Sequence, residues 1–395
     1  MNRRVKVVLA ANFITVAARM SLVTFLGIWF VREAGIALAT VGLAFLAENL
    51  LRGLLAPVFG ALSDRIGRRA LLLGAALATA AVLPSFLLVD SALGLFAWSF
   101  AMGIVGSVNM PVGAALLLDL APAERRQSML ALNYTVMSVA YTLAVMPAGY
   151  VAEQGYALLA VLSSAGYVLV FLLYAIGLRG PLPLERGNRG SFSGEALSVL
   201  RDRSFLAFVS IALVFPFGMG LVVFASPLFA VDRGLGEGFI GLVLGANSII
   251  VALLAVPLAT RMEHAGPFRW LGWAALLVAG CFACYAGIPH AGAALVVGTV
   301  IFSFGELVFS SAVPAAVARL APAGRRGAYQ GGWTLVSSFS MGSALFFSGL
   351  LRDAAGWQAA WAVYCALTLG AGLMLFLTRA AFKSVSDSRN AQRLQ

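Results

Sequence analysis

The sequence predicts an all-α membrane protein of twelve transmembrane helices arranged as two six-helix repeats. Three observations carry this reading. Of 395 residues, 61% are hydrophobic and only 11% charged, with a mean hydropathy of +0.94, whereas a soluble domain carries about 45–50% apolar and about 25% charged residues. Apolar runs of span length, about 20 residues each, follow one another along the chain and leave no room for a sizeable soluble domain. The two halves also echo each other. Leu120-Ala-Pro-Ala-Glu-Arg-Arg126 returns as Leu320-Ala-Pro-Ala-Gly-Arg-Arg326, and Val41-Gly42-Leu43 with Pro57 returns as Ile240-Gly241-Leu242 with Pro257. Repeated six-span halves are an architecture of alternating-access carriers, which hold their substrate near the membrane midplane.

The first run, 5–30, follows a basic head of Arg3, Arg4 and Lys6. With small residues at Ala17 and Ala18 it has the outline of a cleavable leader. Removal would delete half of a span and spoil the charge pattern below, so the run is read as a membrane helix. The second and third runs, 40–62 and 70–89, flank a short basic loop, and the fourth and fifth, 93–119 and 128–151, flank the first copy of the repeated segment. The sixth, 157–178, closes an N-terminal half at 1–178. Residues 179–203 form the longest polar stretch, rich in Gly, Pro, Ser and charge, and read as a linker. The second half, 204–380, holds runs at 204–231, 239–260, 270–288, 293–318, 328–351 and 358–380, followed by a tail at 381–395. Its first run carries Pro216, Gly218, Gly220 and Pro227, the composition of a bendable helix. Cys281 and Cys284 form a CxxC inside an apolar run, where thiols fill space, and three cysteines make no disulfide framework.

The net charge is +11. With the N-terminus inside, 22 of the 27 Lys and Arg fall in cytoplasmic segments, while Arg32, Arg233 and Arg352 fall outside and Arg19 and Arg52 lie within spans. The positive charge is therefore the positive-inside rule acting on topology rather than a nucleic-acid footprint. Both termini are expected on the cytoplasmic side of a bacterial-type inner membrane. A membrane enzyme is disfavoured, because His264 and His290 lie in separate loops and neither a His-Glu-x-x-His pattern nor a P-loop is present.

Between the second and third runs stands Gly60-Ala-Leu-Ser-Asp64-Arg65-Ile-Gly67-Arg68-Arg69. The glycines suit a tight turn with close backbone approach, Asp64 suits a helix N-cap, and the arginines suit acidic groups or helix C-termini. The segment resembles the GxLaDRxGRR signature of the major facilitator superfamily and stands in the loop where that family carries it. The resemblance implies the major facilitator fold and a cytoplasmic latch between the halves, built on Gly60, Asp64, Arg65, Gly67, Arg68 and Arg69. The equivalent loop of the second half, 259–269, lacks the pattern, so an asymmetric latch is expected.

An ionisable side chain at the centre of a span costs about 2.5–3.5 kcal/mol to insert and defaults to a functional role. Four are present: Arg19 in the first span, Glu48 and Arg52 in the second, and Glu306 in the tenth. At about 1.5 Å of rise per residue, Arg19 and Glu48 lie at similar depths and are expected to pair. Glu48 and Arg52 are four apart on one helical face, acid first, which is the better orientation. The cluster reads either as a neutralised brace of the N-terminal half or as a patch that holds a charged or sugar-like headgroup. Glu306 differs, since no basic residue stands at comparable depth in its own half. An acid in that setting exchanges a proton with whichever side it faces; the alternative is an acid held neutral by Ser303, Ser310 or a backbone carbonyl.

The segment Phe304-Gly-Glu306-Leu-Val-Phe309-Ser310, with Arg326-Gly-Ala-Tyr329-Gln-Gly331, is similar to the tenth and eleventh spans of the proton-driven multidrug exporters of the LmrP and MdtH type. Leu118-Asp119 through Asn133-Tyr134 resembles their fourth and fifth spans. This resemblance implies export of lipophilic or cationic compounds in exchange for protons, with Glu306 as a proton-coupling residue; the intramembrane Glu48 is the second proton-coupling candidate. Asn133 stands where that group carries a titratable Asp. The fourth span has no Arg, and Met146-Pro147-Ala148-Gly149 only partly matches the GPxxGG antiporter motif.

Ala18-Arg19-Met20 with Ala47-Glu48-Asn49 resembles the Arg and acid pair of glycolipid-flipping members, which implies a lipid or amphiphile flippase as the alternative, ahead of a small-metabolite symporter or uniporter. Spans 1, 4, 7 and 10 line the cavity in this superfamily. On these spans the candidate substrate-cavity residues are Arg19, Asn109, Phe215 and Phe309, to which Arg52 of the second span and Asn133 and Tyr134 of the fifth are added. With Met102, Met110, Phe217, Met219, Phe224 and Phe302 on the same four spans, the lining is largely apolar and aromatic, poor for polyhydroxylated nutrients and suited to varied lipophilic shapes. The expected partners are a small lipophilic or amphiphilic substrate, protons and membrane lipid, with no nucleic acid and a monomeric chain. No metal or cofactor is expected, the proton gradient being the energy source.

Overall fold

The computed structural model describes residues 2–122, 126–180, 199, 201–263, 267–322 and 325–394. Most of the expected linker (181–198), Glu124 and Arg125 of the first repeated segment, and His264 lie outside the described residues. The regular elements among the described residues are all helical: α1 (Arg3–Arg32), α2 (Leu38–Ile66), α3 (Arg68–Leu88), α4 (Ala92–Leu120), α5 (Arg126–Gln154), α6 (Tyr156–Gly177), α7 (Arg203–Asp232), α8 (Glu237–Glu263), α9 (Pro267–Gly287), α10 (Ala291–Leu320) and α11 (Arg326–Leu394). Local chemistry sets several starts. The Asn2 side chain accepts from the Arg4 N–H, Ser91 from Gly94, and Asp202 from Ser204 and Phe205, each satisfying donors that the first helical turn leaves open.

Eleven helical stretches among the described residues are long and apolar enough to cross a membrane, where twelve runs were expected. The difference lies at the C-terminal end, where α11 carries the last two runs and breaks at Gly356, φ 80° and ψ 170°. Glycine adopts this backbone without a Cβ penalty. Gly155, φ 138°, makes the matching break between α5 and α6.

The repeat seen in the sequence extends to the helices. Arg3 and Arg203, Leu38 and Glu237, Arg68 and Pro267, Ala92 and Ala291, and Arg126 and Arg326 open corresponding helices 199 or 200 residues apart. The repeated Leu-Ala-Pro ends α4 at Leu120 and α10 at Leu320, with Ala121 and Ala321 extended behind them. Proline one residue further on favours that extended conformation.

The chain forms two compact units, one of Met1–Asn188 with Gly234–Ser248, the other of Arg189–Arg233 with Ile249–Gln395. In the first unit α1 packs on α5 and α6, α2 on α4, and α3 on α4 and α6. Edge-to-face contacts among Trp29, Phe30, Phe86 and Trp98, with centroids 4.9–6.3 Å apart, fill one end of it. The start of α8 joins this unit because Gly241 lies against the carbonyls of Val145 and Met146, where a Cβ would come within 2.8–3.0 Å. The Gly238 N–H also donates to Glu153 at 2.9 Å.

In the second unit α9 packs on α10 and α11, and α11 on α7. The bend expected in α7 takes the form of a π-helical turn at Leu221–Ala225, a single wide turn inside an α-helix, the form in which this rare geometry mostly occurs. Gly220 lets this stretch lie against the backbone of Met341 in α11.

Candidate functional site

The charged groups of α1 and α2 come together inside the first unit. Arg19 Nη2 lies 3.5 Å from Glu48 Oε1, and Arg52 Nη2 pairs with the same oxygen from one turn further along α2. Arg52 Nη1 also donates to Asn49 Oδ1 at 3.4 Å. The Glu48 side chain is 9% exposed and the two arginines 16% and 18%, so the acid is the innermost member. Both pairings expected from depth and spacing are present.

Two further features were missed in the sequence. Tyr167 of α6 is buried within electrostatic reach of all three charges. Gly106 of α4 faces Arg52, where a Cβ would stand 2.8 Å from Nε, and Gly103 faces the Glu48 carbonyl, where a Cβ would stand at 3.0 Å. The Gly103-x-x-Gly106 spacing, one face of a helix, is the signal that could have found them.

Glu306 stands halfway along α10 and is half-buried. Its neighbour Gly305 faces α9, where a Cβ would lie 3.0 Å from Val278 and 3.3 Å from the Ala274 carbonyl. Phe302, Glu306 and Phe309, at i, i+4 and i+7, lie along one stripe of the helix. Phe309 stacks on the fully buried Phe215 of α7 at 5.2 Å and meets Phe302 edge-on at 6.2 Å. The Ser303 hydroxyl donates to the Thr299 carbonyl and the Ser310 hydroxyl to the Leu307 carbonyl, one helical turn back in each case.

The remaining cavity candidates are dispersed. Asn109 is buried and donates to Thr79 Oγ1 at 3.3 Å. Asn133 is buried as well, accepting from Asn12 Nδ2 at 2.7 Å and meeting Met137 Sδ at 3.3 Å. These bonds tie α4 to α3 and α5 to α1. Tyr134 is 69% exposed. A pocket of about 330 Å³ opens in the second unit between α7 and α11, lined by Leu213, Phe217, Ser340, Phe347, Tyr364 and Thr368 among others. None of Glu306, Phe215 or Phe309 lines it.

The basic loop is reduced to one residue, Gly67, φ 95°, between α2 and α3. Two local expectations are corrected. Gly60 does not form part of the turn, for it is helical within α2 with no atom within 4 Å of where a Cβ would be. Asp64 caps no helix: Gly67 occupies the α3 N-cap without a side-chain bond, and Asp64 instead meets Arg68 Nη2 at 3.4 Å. Arg68 is buried and its Nε lies 2.6 Å from Asp119 Oδ2 near the end of α4. Arg69 donates to the Tyr174 and Ala175 carbonyls at the C-terminal end of α6, at 3.4 and 2.9 Å, the helix terminus that attracts cations. Arg65 is exposed. Asp119 is the member of this network that the sequence pattern did not single out, although it ends the apolar run of α4.

The family profile described as Major Facilitator Superfamily matches residues 8–305 and, in a second placement, 211–394. A protein of Planococcus maritimus named as a Na(+), Li(+), K(+)/H(+) antiporter is 26% identical over 363 residues, covering 83% of this chain and 84% of that one. An uncharacterized MFS-type transporter of Bacillus subtilis, YqjV, is 23% identical over 333 residues, covering 82% of this chain and 80% of its own. Among solved structures, the nucleoside transporter NupG superposes with a TM-score of 0.79 at 12% identity, covering 95% of this chain and 99% of that chain. The human organic anion transporter MFSD10 superposes at 0.65 and 20% identity, covering 94% and 99%. At these identities the structural matches speak to the fold.

Proposed function

The chain belongs to the major facilitator superfamily and is a multi-pass membrane transporter, and from that premise we propose a secondary active transporter that exports lipophilic compounds in exchange for protons. The observation that carries this reading is Glu306, an ionisable group in the middle of the apolar α10, on one helix face with Phe302 and Phe309 and beside the Phe215 stack. An acid there binds a proton while it faces the acidic side and gives it up after the cavity opens to the other, while aromatic surfaces adapt to varied apolar solutes. Glu48 is already held between two guanidiniums, so the moving proton is assigned to Glu306. The likeness of the tenth and eleventh spans to proton-driven multidrug exporters supports the direction of transport. The distribution of Lys and Arg supports cytoplasmic termini in a bacterial-type inner membrane.

The test is flux of lipophilic dyes in proteoliposomes under an imposed pH gradient, with a cationic dye (ethidium), a neutral one and an anionic one compared. Gradient-driven flux that disappears when the gradient is collapsed is expected; flux indifferent to the gradient contradicts the reading. The printed name of the Planococcus maritimus relative favours a second reading, in which a monovalent metal cation is exchanged for the proton. The same vesicles separate the two, since added Na+ or K+ would then dissipate the gradient and the dye would not.

A further inference from the structure

We propose that Arg19, Glu48 and Arg52 form a binding site for an anionic group, a sulfonate, carboxylate or phosphate, carried by an amphiphilic substrate. The inference rests on the lipophilic-export reading and deepens it by naming the charge of the substrate's head.

Two guanidiniums share one carboxylate, and among the described residues no second acid pairs with either. The cluster therefore keeps one positive charge in the middle of α1 and α2. A brace needs one arginine per glutamate. A second arginine adds desolvation cost without a counter-charge. Hydrogen bonding is also incomplete. Each guanidinium has five N–H donors, yet among the described residues Arg19 reaches only Glu48, at the 3.5 Å limit, and Arg52 reaches Glu48 and Asn49. The Nε atoms of both are buried with no partner among the described residues, and a buried donor left unmade is costly.

An anion that presents two oxygens on one atom, as a carboxylate, sulfonate or phosphate does, accepts from two N–H groups at once and matches these forks. Access favours it as well: the arginines keep 16% and 18% of their side-chain surface while Glu48 keeps 9%, so an entering group meets positive charge first. The buried Tyr167 phenol lies within electrostatic reach of the same charges. For the same reason the cluster repels a bare metal cation.

The test is equilibrium binding to the purified full chain in a nonionic detergent, with no gradient imposed, so that it holds or fails independently of proton-driven export. The probes are a dansyl-labelled alkyl sulfonate and its neutral sulfonamide analogue. The sulfonate is expected to bind saturably and at least about tenfold more tightly than the neutral analogue. Arg19→Gln and Arg52→Gln should each weaken sulfonate binding about tenfold and leave the sulfonamide alone, whereas Glu48→Gln, which raises the site's charge, should tighten it. Arg19→Lys keeps the charge and should retain most of the affinity, and a wild-type elution profile shows that each variant is folded.

Short-chain phosphatidylglycerol as competitor distinguishes the source of the anion. Displacement assigns the site to a lipid phosphate, and lack of displacement assigns it to a non-lipid organic anion. Equal binding of sulfonate and sulfonamide by the wild type, or folded Gln variants that bind the sulfonate unchanged, would overturn the proposal.

Discussion

Removing the Glu48 carboxylate would leave two guanidiniums facing each other inside the first unit, and breaking a buried pair in this way costs about 3–5 kcal/mol. Glu48→Ala should therefore lower the unfolding temperature in detergent by much more than Arg19→Gln, which removes the surplus charge; equal losses would contradict the assignment of Glu48 as the shared partner. The same logic applies at the basic loop. Asp119→Asn takes the counter-charge from buried Arg68, so it should destabilise the protein by more than Asp64→Asn, whose side chain is 51% exposed. Thermal unfolding of the two variants side by side decides this.

At this scale the sequence was legible where spacing along one helix or depth across two helices fixed a pair, as for Glu48 with Arg52 and Arg19. It was silent where partners came from elements whose faces a single sequence does not orient. Asn133 reads from the sequence as a cavity group, and the structure adds Asn12 of α1 as its partner; Asp119 reads as the edge of a span, and the structure pairs it with Arg68.

The elements were read largely from hydropathy, because twelve apolar runs of span length leave few alternatives. The break of α11 at Gly356 falls in the gap between the expected runs 328–351 and 358–380, although no hydropathy window registers the positive φ that makes it. In the basic loop two glycines of one motif proved to have different roles. Gly67 holds φ 95° and Gly60 is helical in open space. Gly67→Ala should cost about 1–3 kcal/mol through backbone strain, while Gly60→Ala should be neutral or stabilise by about 0.5–1 kcal/mol through helix propensity. Unfolding temperatures that move the same way in both variants would contradict the roles given to them. The π-helical turn of α7 answers to a different signal, the run of Gly and Pro between Pro216 and Pro227, which marked the place of the irregularity without indicating its kind.

At the scale of the whole molecule, the repeat was first visible in one seven-residue segment and two shorter ones, and it extends to helix starts that recur at intervals of 199 or 200 residues. That regularity survives because a span needs a fixed length and a helix end needs a cap, while side-chain identity between the halves is free to drift. The drift is where function resides. The first half carries the Arg19, Glu48 and Arg52 cluster and the basic loop. The second carries Glu306 with the aromatic face of α10. On the proposed reading, such a carrier divides its work, with a positive group in one half and the proton site in the other.

The most direct test of this account is the movement of protons themselves. Proteoliposomes loaded with a pH-sensitive dye should report a proton flux when a lipophilic substrate is added to the wild type, and no substrate-dependent flux with Glu306→Gln. An unchanged substrate-dependent proton flux in the folded Glu306→Gln variant would remove Glu306 from the coupling mechanism.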